Sequence, residues 1–270
     1  MPDPRALLAA HDRQLRGQVS VRLPPGVVVE EDGPLQRFAG WSPRGLVLYR
    51  DLGGLGAAEL DRLVRRQQQY FGAQGQAFEW KTYGHDQPRD LPGRLLALGF
   101  VPEPVEHVLI GLVEEQALPV RLPPGARLRE ATERSDAARL AALLSQIWGE
   151  DLSFLAEQFW ADRQANPGEV LLIVVEAEGE VIACARINLV PGTEFATLWS
   201  GATRADWRGR GVYRAMVAHR AGLARERGLR YLQVDASAQS RPILERLGFV
   251  TVTSTTPYVW TPPGGEAQST

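Results

Sequence analysis

Trp207-Arg208-Gly209-Arg210-Gly211-Val212-Tyr213 is the stretch on which the reading of the chain turns. An apolar, strand-like run (195–203) leads toward it, and a segment with helical spacing (209–227) leaves it. A glycine-rich turn between a strand and a helix presents a row of backbone N–H groups at the helix's positive end. Phosphate oxygens are held in such places. Glycine also lets the backbone come close to a ligand. Two phosphate motifs fail here. The P-loop needs Lys-Ser or Lys-Thr after its last glycine, and the dinucleotide fingerprint needs a third glycine where Arg214 stands. The pattern that survives is R-x-x-G-x-(G/A), with Arg208 and Gly211 in place and Tyr213 in the last position.

Around this loop the periodicities predict a strand at 126–130 and a helix that Ser135 can cap. That helix places Leu140, Leu143, Leu144 and Ile147 on one face and ends at Gly149. A second helix runs from 153 and stops before Pro167. Strands at 170–176 and 181–189 are joined at Glu178-Gly179, a hairpin signal, and 195–203 is a third strand. After the loop helix come a strand (231–234), a helix (241–247) and two strands (250–254 and 258–260).

This order, the loop, and Glu245-Arg246-Leu247-Gly248-Phe249 together resemble the GNAT N-acetyltransferase superfamily over residues 119–270. The resemblance implies an α+β fold, a mixed splayed β-sheet flanked by helices (the acyl-CoA N-acyltransferase fold). It implies acetyl-CoA as acyl donor, its pyrophosphate on the amides of Gly209, Arg210, Gly211, Val212 and Tyr213 behind Arg208. It also implies a backbone amide near Ala202 or Thr203 for the thioester carbonyl. Many members carry a tyrosine just before the signature as acid for the leaving thiolate; Leu244 stands there instead.

The chain also repeats itself. VRLPPG occurs at 21–26 and 120–125, and Leu98-Gly99-Phe100-Val101 recurs as Leu247-Gly248-Phe249-Val250. The first copy is roughly 50 residues shorter and lacks the two early helices. The organisation expected is a truncated, degenerate copy at 1–118 and a complete one at 119–270, a duplicated layout similar to that of mycothiol synthase. In the first copy, strands fall near 27–30, 35–38, 46–49, 78–82 and 107–112, and helices near 4–15, 57–71 and 92–98. Its corresponding glycines, Gly53-Gly54-Leu55-Gly56, lack the leading arginine, so one acetyl-CoA per chain is expected. Without those two helices this copy is expected to leave one sheet edge or face poorly covered, for the second copy to shield, and to be structural, shaping the acceptor pocket. Residues 119–270 alone are expected to keep acetyl-CoA binding but to lose acceptor selectivity or solubility.

Composition narrows the partners. The 270 residues carry 30 basic and 32 acidic side chains, net −2, which argues against nucleic acid. The longest strongly apolar run, 170–175, is far short of a membrane span. The lone Cys184 excludes a disulfide framework and a cysteine-rich metal site, so a reduced cytoplasmic protein with no metal is expected. The reading is an N-acetyltransferase acting on a small-molecule primary amine. The alternatives are an acetyl-CoA-binding pseudoenzyme or sensor, and a protein or peptide N-acetyltransferase. Asp235, ending the strand after the loop helix, is the expected base for the incoming ammonium, the alternative being a cap for the helix that follows, with Glu194 as the reserve base. His219, Trp148, Trp160 and Trp199 read as core, Glu150 and Asp151 as capping groups, and Cys184 as inert.

Overall fold

The structure, a computed structural model, describes residues 3–19, 22–23, 26–41 and 43–264. The first VRLPPG and the end of the C-terminal tail lie partly outside them. In chain order the elements are α1 (Pro4–Gln14), β1 (Val28–Asp32), β2 (Leu35–Ala39), β3 (Gly45–Tyr49), α2 (Ala57–Gly72), β4 (Phe78–Tyr83), α3 (Leu91–Ala97), β5 (Val101–Pro102), β6 (Glu106–Leu112) and α4 (Val113–Gln116). Then come β7 (Arg127–Glu130), α5 (Arg134–Trp148), α6 (Leu155–Ala165), β8 (Val170–Ala177), β9 (Glu180–Leu189), β10 (Phe195–Thr203), α7 (Val212–Glu226), β11 (Tyr231–Ala236), α8 (Arg241–Arg246) and β12 (Val250–Trp260).

Local chemistry explains most boundaries. Glu178 (φ 54°) and Gly179 (φ 83°) both adopt positive φ, the primed turn that suits a two-residue hairpin between β8 and β9. Helix α5 ends at left-handed Gly149, φ 77°. Its start differs from expectation: Ser135 lies inside the helix and donates to Glu133, while Asp136 accepts the amides of Thr132 and Glu133. A carboxylate in the first turn satisfies these donors and complements the helix's positive end.

The twelve described strands form one mixed sheet, ordered β1-β2-β3-β4-β12-β6-β11-β10-β9-β8-β7, with β5 beside β12. The two copies meet by exchanging their last strands. First-copy β6 lies antiparallel against second-copy β11, from Leu112↔Tyr231 to His107↔Ala236. Second-copy β12 lies antiparallel against first-copy β4, from Tyr83↔Thr255 to Phe78↔Trp260. The sheet therefore runs unbroken across the sequence boundary near 118.

Spanning both neighbours requires length, and β12 is a single strand rather than the two expected. Pro257 sits inside it without breaking the ladder. Its carbonyl accepts from the Glu103 amide (2.9 Å), so the absent N–H would have pointed the same way, off β4.

Helices cover both faces. Met216, Val217 and Ala221 of α7 pack on Ala183, Ala185 and Leu198, while Leu140 and Leu144 of α5 pack on Leu172, Val174 and Cys184 opposite. In the first copy, α2 sets Leu60, Val64 and Phe71 on Phe78 and Trp80. Helix α1 seats Leu7 and Ala10 on Ile110 and Phe195, across the seam between the copies.

Each copy also splays. β10 pairs in parallel with β11 over three residues, ending at Thr197↔Gln233, and β3 with β4 over three, ending at Val47↔Trp80; beyond these the strands part.

Candidate active site

At the loop, Gly209 (φ 73°) and Gly211 (φ 83°) both take left-handed backbone, which a side chain would strain. Among the described residues, the amides of Gly209, Arg210, Gly211 and Val212 have no acceptor, and the first turn of α7 carries no acid. Arg208 donates from Nε to the Thr203 carbonyl (3.0 Å), tying the loop to β10. The Arg210 guanidinium lies over the Trp207 ring, 4.9 Å from its centroid. Tyr213 turns back onto the sheet. A Cβ on Gly201 would come 3.2 Å from its Cε2, so the ring clears the amides and Gly201 makes room for it.

Upstream, the β9–β10 register shifts between Trp199 and Ala202, with Ser200 at φ 50°. Ala202 and Thr203 are buried just past this bulge, and the Thr203 hydroxyl has no partner among the described residues.

The first copy's loop is closed by its own acids. Asp51 accepts the Gly53 amide (3.1 Å) and Glu59 the Gly56 amide (3.0 Å), which occupies the donors a phosphate needs. Free amides, arginines and no competing carboxylate fit a diphosphate-bearing donor at the second loop.

Where the strands part, a cavity of about 1010 Å³ opens, walled by both copies. The second copy contributes Trp148, Trp199, Ser200, Gln233 and Asp235, and the first contributes His11, Trp41, Glu79, Lys81, Glu103 and Glu106. Asp235, the expected base, is therefore on the wall, but both its oxygens are engaged. Lys81 Nζ donates to Oδ2 (2.6 Å) and Gln233 Nε2 to Oδ1 (2.7 Å). Burial disfavours the Lys81 ammonium, yet the adjacent Asp235 carboxylate carries its pKa well above the usual lysine value. Arg44 binds Glu79 and Glu103, and Arg186 binds Asp162 (2.6 Å). The Glu106 carboxyl is pushed up from 4.5 to about 7, chiefly by burial.

Other expected residues fall elsewhere. Glu194 lies at the far end of β10, held by Gln14 (2.9 Å) and Arg230 (2.7 Å) and not on the cavity wall. That place removes it from any proton transfer there. Trp148 and Trp199, expected in the core, are 52% and 43% exposed and line the cavity. Trp199 is still in register with Arg186 and shares its face of β10 with Thr197, to whose hydroxyl its Nε1 donates (2.8 Å), and that face is the cavity wall. Leu244 is fully buried in the core under α7. Asp151 accepts the Ser153 amide in the turn before α6, and no side chain caps that helix. The Cys184 thiol is pushed up to about 12 by burial, which keeps it a protonated, unreactive packing group.

Residues 137–249 match the family model described as Acetyltransferase (GNAT) family. That segment is a GNAT acetyltransferase domain. No curated protein matches it in sequence. Solved structures with a similar fold include a GCN5-related N-acetyltransferase from Kribbella flavida, 15% identical over 97% of this chain and 95% of that one, TM-score 0.69. A tandem GNAT protein from the clavulanic acid biosynthesis pathway is 14% identical over 92% and 86%, TM-score 0.64. A GCN5-related N-acetyltransferase from Sphaerobacter thermophilus is 15% identical over 90% and 79%, TM-score 0.62. At such identities the likeness concerns the fold.

The loop and β10 lie inside the matched GNAT span, whereas Lys81 and Glu106 lie outside it. Sequence reasoning passed over both, because no motif surrounds them. The one available signal was that Lys81 is the chain's only lysine.

Proposed function

We propose that this GNAT protein transfers an acetyl group from acetyl-CoA to the primary amine of a small molecule, one site per chain. The observation that carries the reading is a cavity roofed by the first copy and meeting the splayed β10–β11 opening of the second. A peptide acceptor would suit an open groove instead. The amides of Gly209 to Tyr213, with Arg208 and Arg210 beside them, would hold the donor's diphosphate, and the β10 backbone around Ala202 and Thr203 its acyl end. Acetyl-CoA bound there supplies an acetyl thioester.

The cavity's own residues select the acceptor. Glu79 and Glu103 share the single Arg44, and Glu106 adds a further carboxyl, so the wall favours a cation. Trp41, Trp148 and Trp199 offer aromatic surface to an alkylammonium. Before it can react, the ammonium must lose a proton to a base on this wall. A single buried cysteine with no intrachain disulfide agrees with a cytoplasmic location.

Thiol release from acetyl-CoA, measured across primary amines and amino-terminal peptides, tests this. Release with small amines and little with peptides is expected. Tight acetyl-CoA binding without release for any acceptor would instead establish the sensor alternative, for which Leu244 in place of the family's tyrosine is the supporting feature.

A further inference from the structure

We propose that Glu106, carried into the second copy's site on the exchanged strand β6, is the base that takes the proton from the acceptor amine. The inference rests on the acetyltransferase reading above. Glu106 lies on the cavity wall in the same row of side chains as Asp235, because Asp235 pairs with Val108 and Glu106 is two residues along on the same face. Every other carboxylate named on this wall has a cation in contact: Asp235 has Lys81, Glu79 and Glu103 have Arg44, and Asp162 has Arg186. Among the described residues, no hydrogen bond or salt bridge engages the Glu106 carboxyl.

The exchange is what puts an acid there. Counted from the shared Leu-Gly-Phe-Val, the second copy's counterpart of Glu106 is Thr255, which is buried and donates to the Thr82 carbonyl (2.8 Å). The second copy thus has no carboxylate of its own at this position.

The charges facing Glu106 are all in view. Lys81, Glu79 and Tyr83 come from β4, Glu103 from the turn before β6, and Asp235 from β11; Arg44 holds the two other glutamates. Burial raises the Glu106 pKa to about 7, Lys81 opposes this, and Asp235, Glu79 and Glu103 add to it. Tyr83, pushed up to about 12 by burial, stays neutral. Near neutral pH Glu106 is therefore divided between acid and carboxylate, where a base is most effective.

The step balances simply. The Glu106 carboxylate accepts a proton from the R–NH3+ nitrogen, so an N–H bond breaks, its electron pair remains on nitrogen and an O–H bond forms. That lone pair makes the C–N bond as the donor's C–S bond breaks. The second proton of the nitrogen leaves with the departing thiol, and Glu106 returns its own to water.

The test compares pH profiles of kcat/KM for the wild-type chain, Glu106→Gln, Glu106→Asp and Asp235→Asn, together with a carbon-13 carboxyl titration of the ligand-free protein by NMR. The expected wild-type profile rises through about 7, matching a ligand-free Glu106 midpoint near that value. Glu106→Gln loses roughly 10²–10⁴-fold in turnover, and its acid limb disappears. Glu106→Asp recovers part of the rate, which separates a missing base from a damaged fold. Asp235→Asn moves the limb to lower pH, because Lys81 then faces Glu106 without a partner.

Near-normal turnover by Glu106→Gln, or a Glu106 titration near the ordinary 4.5, overturns the assignment and leaves the acetyltransferase reading standing. A collapse of Asp235→Asn on the scale expected for Glu106→Gln also overturns it and makes Asp235 the base. No turnover by the wild type with any amine overturns the acetyltransferase reading itself.

Discussion

Residues 119–270, expressed without the first 118, are expected to yield no cooperatively folded protein and no acetyl-CoA binding. Every strand that pairs with β12, namely β4, β5 and β6, comes from the first copy. Removing that copy also bares the edge of β11, which pairs with β6 along its whole length. Val108, Leu109 and Ile110 of β6 are fully buried. Burial of three such side chains contributes roughly 5–9 kcal/mol. Whole-protein stability is only about 5–15 kcal/mol, so the loss is of the order of the total.

The duplication alone had pointed to an autonomous second copy, and the exchange of strands removes the ground for that. Circular dichroism melts of the fragment, alone and co-expressed with 1–118 as a separate chain, are the check. Recovery on co-expression is expected. A fragment that melts cooperatively and binds acetyl-CoA like the full chain would show that β12 can pair with β11 directly.

Gly211→Glu is expected to abolish acetyl-CoA binding, and calorimetry on the unaltered chain to give one donor per chain. Gly211 sits at φ 83° with no first-turn acid nearby, so the variant adds both backbone strain and a negative charge where phosphates would bind. Hydrogen bonds to charged groups contribute about 1.5–3 kcal/mol each, so loss of two lowers affinity by roughly 10²-fold or more. Gly211→Ala supplies the strain without the charge and is expected to lose less. A stoichiometry of two would mean that the first copy's loop binds despite Asp51 and Glu59. Unchanged binding by Gly211→Glu would place the donor elsewhere.

By itself the sequence determined the elements and the loop. Short apolar, β-branched runs at 170–176 and 181–189, positive-φ chemistry at Glu178-Gly179, and the i, i+3, i+4 stripe of Leu140, Leu143 and Leu144 each fix a local shape through side-chain sterics, backbone sterics and helical period. The glycines of Arg208-Gly209-Arg210-Gly211 likewise fix where amides stay free, and Leu244 was legible as a departure from the family pattern.

Only the tertiary structure decided which strand lies beside which. β6 and β12 both follow the same Leu-Gly-Phe-Val, and ladder hydrogen bonds join backbone groups that every residue carries. Period 2 therefore tells which face a side chain takes but not which neighbour its strand chooses. That choice set Lys81 against Asp235 across 154 positions of sequence and brought Glu106 to the second copy's cavity. Trp148 and Trp199 were misjudged for a related reason. Burial depends on what packs opposite a side chain, and opposite these two the splayed sheet leaves open space.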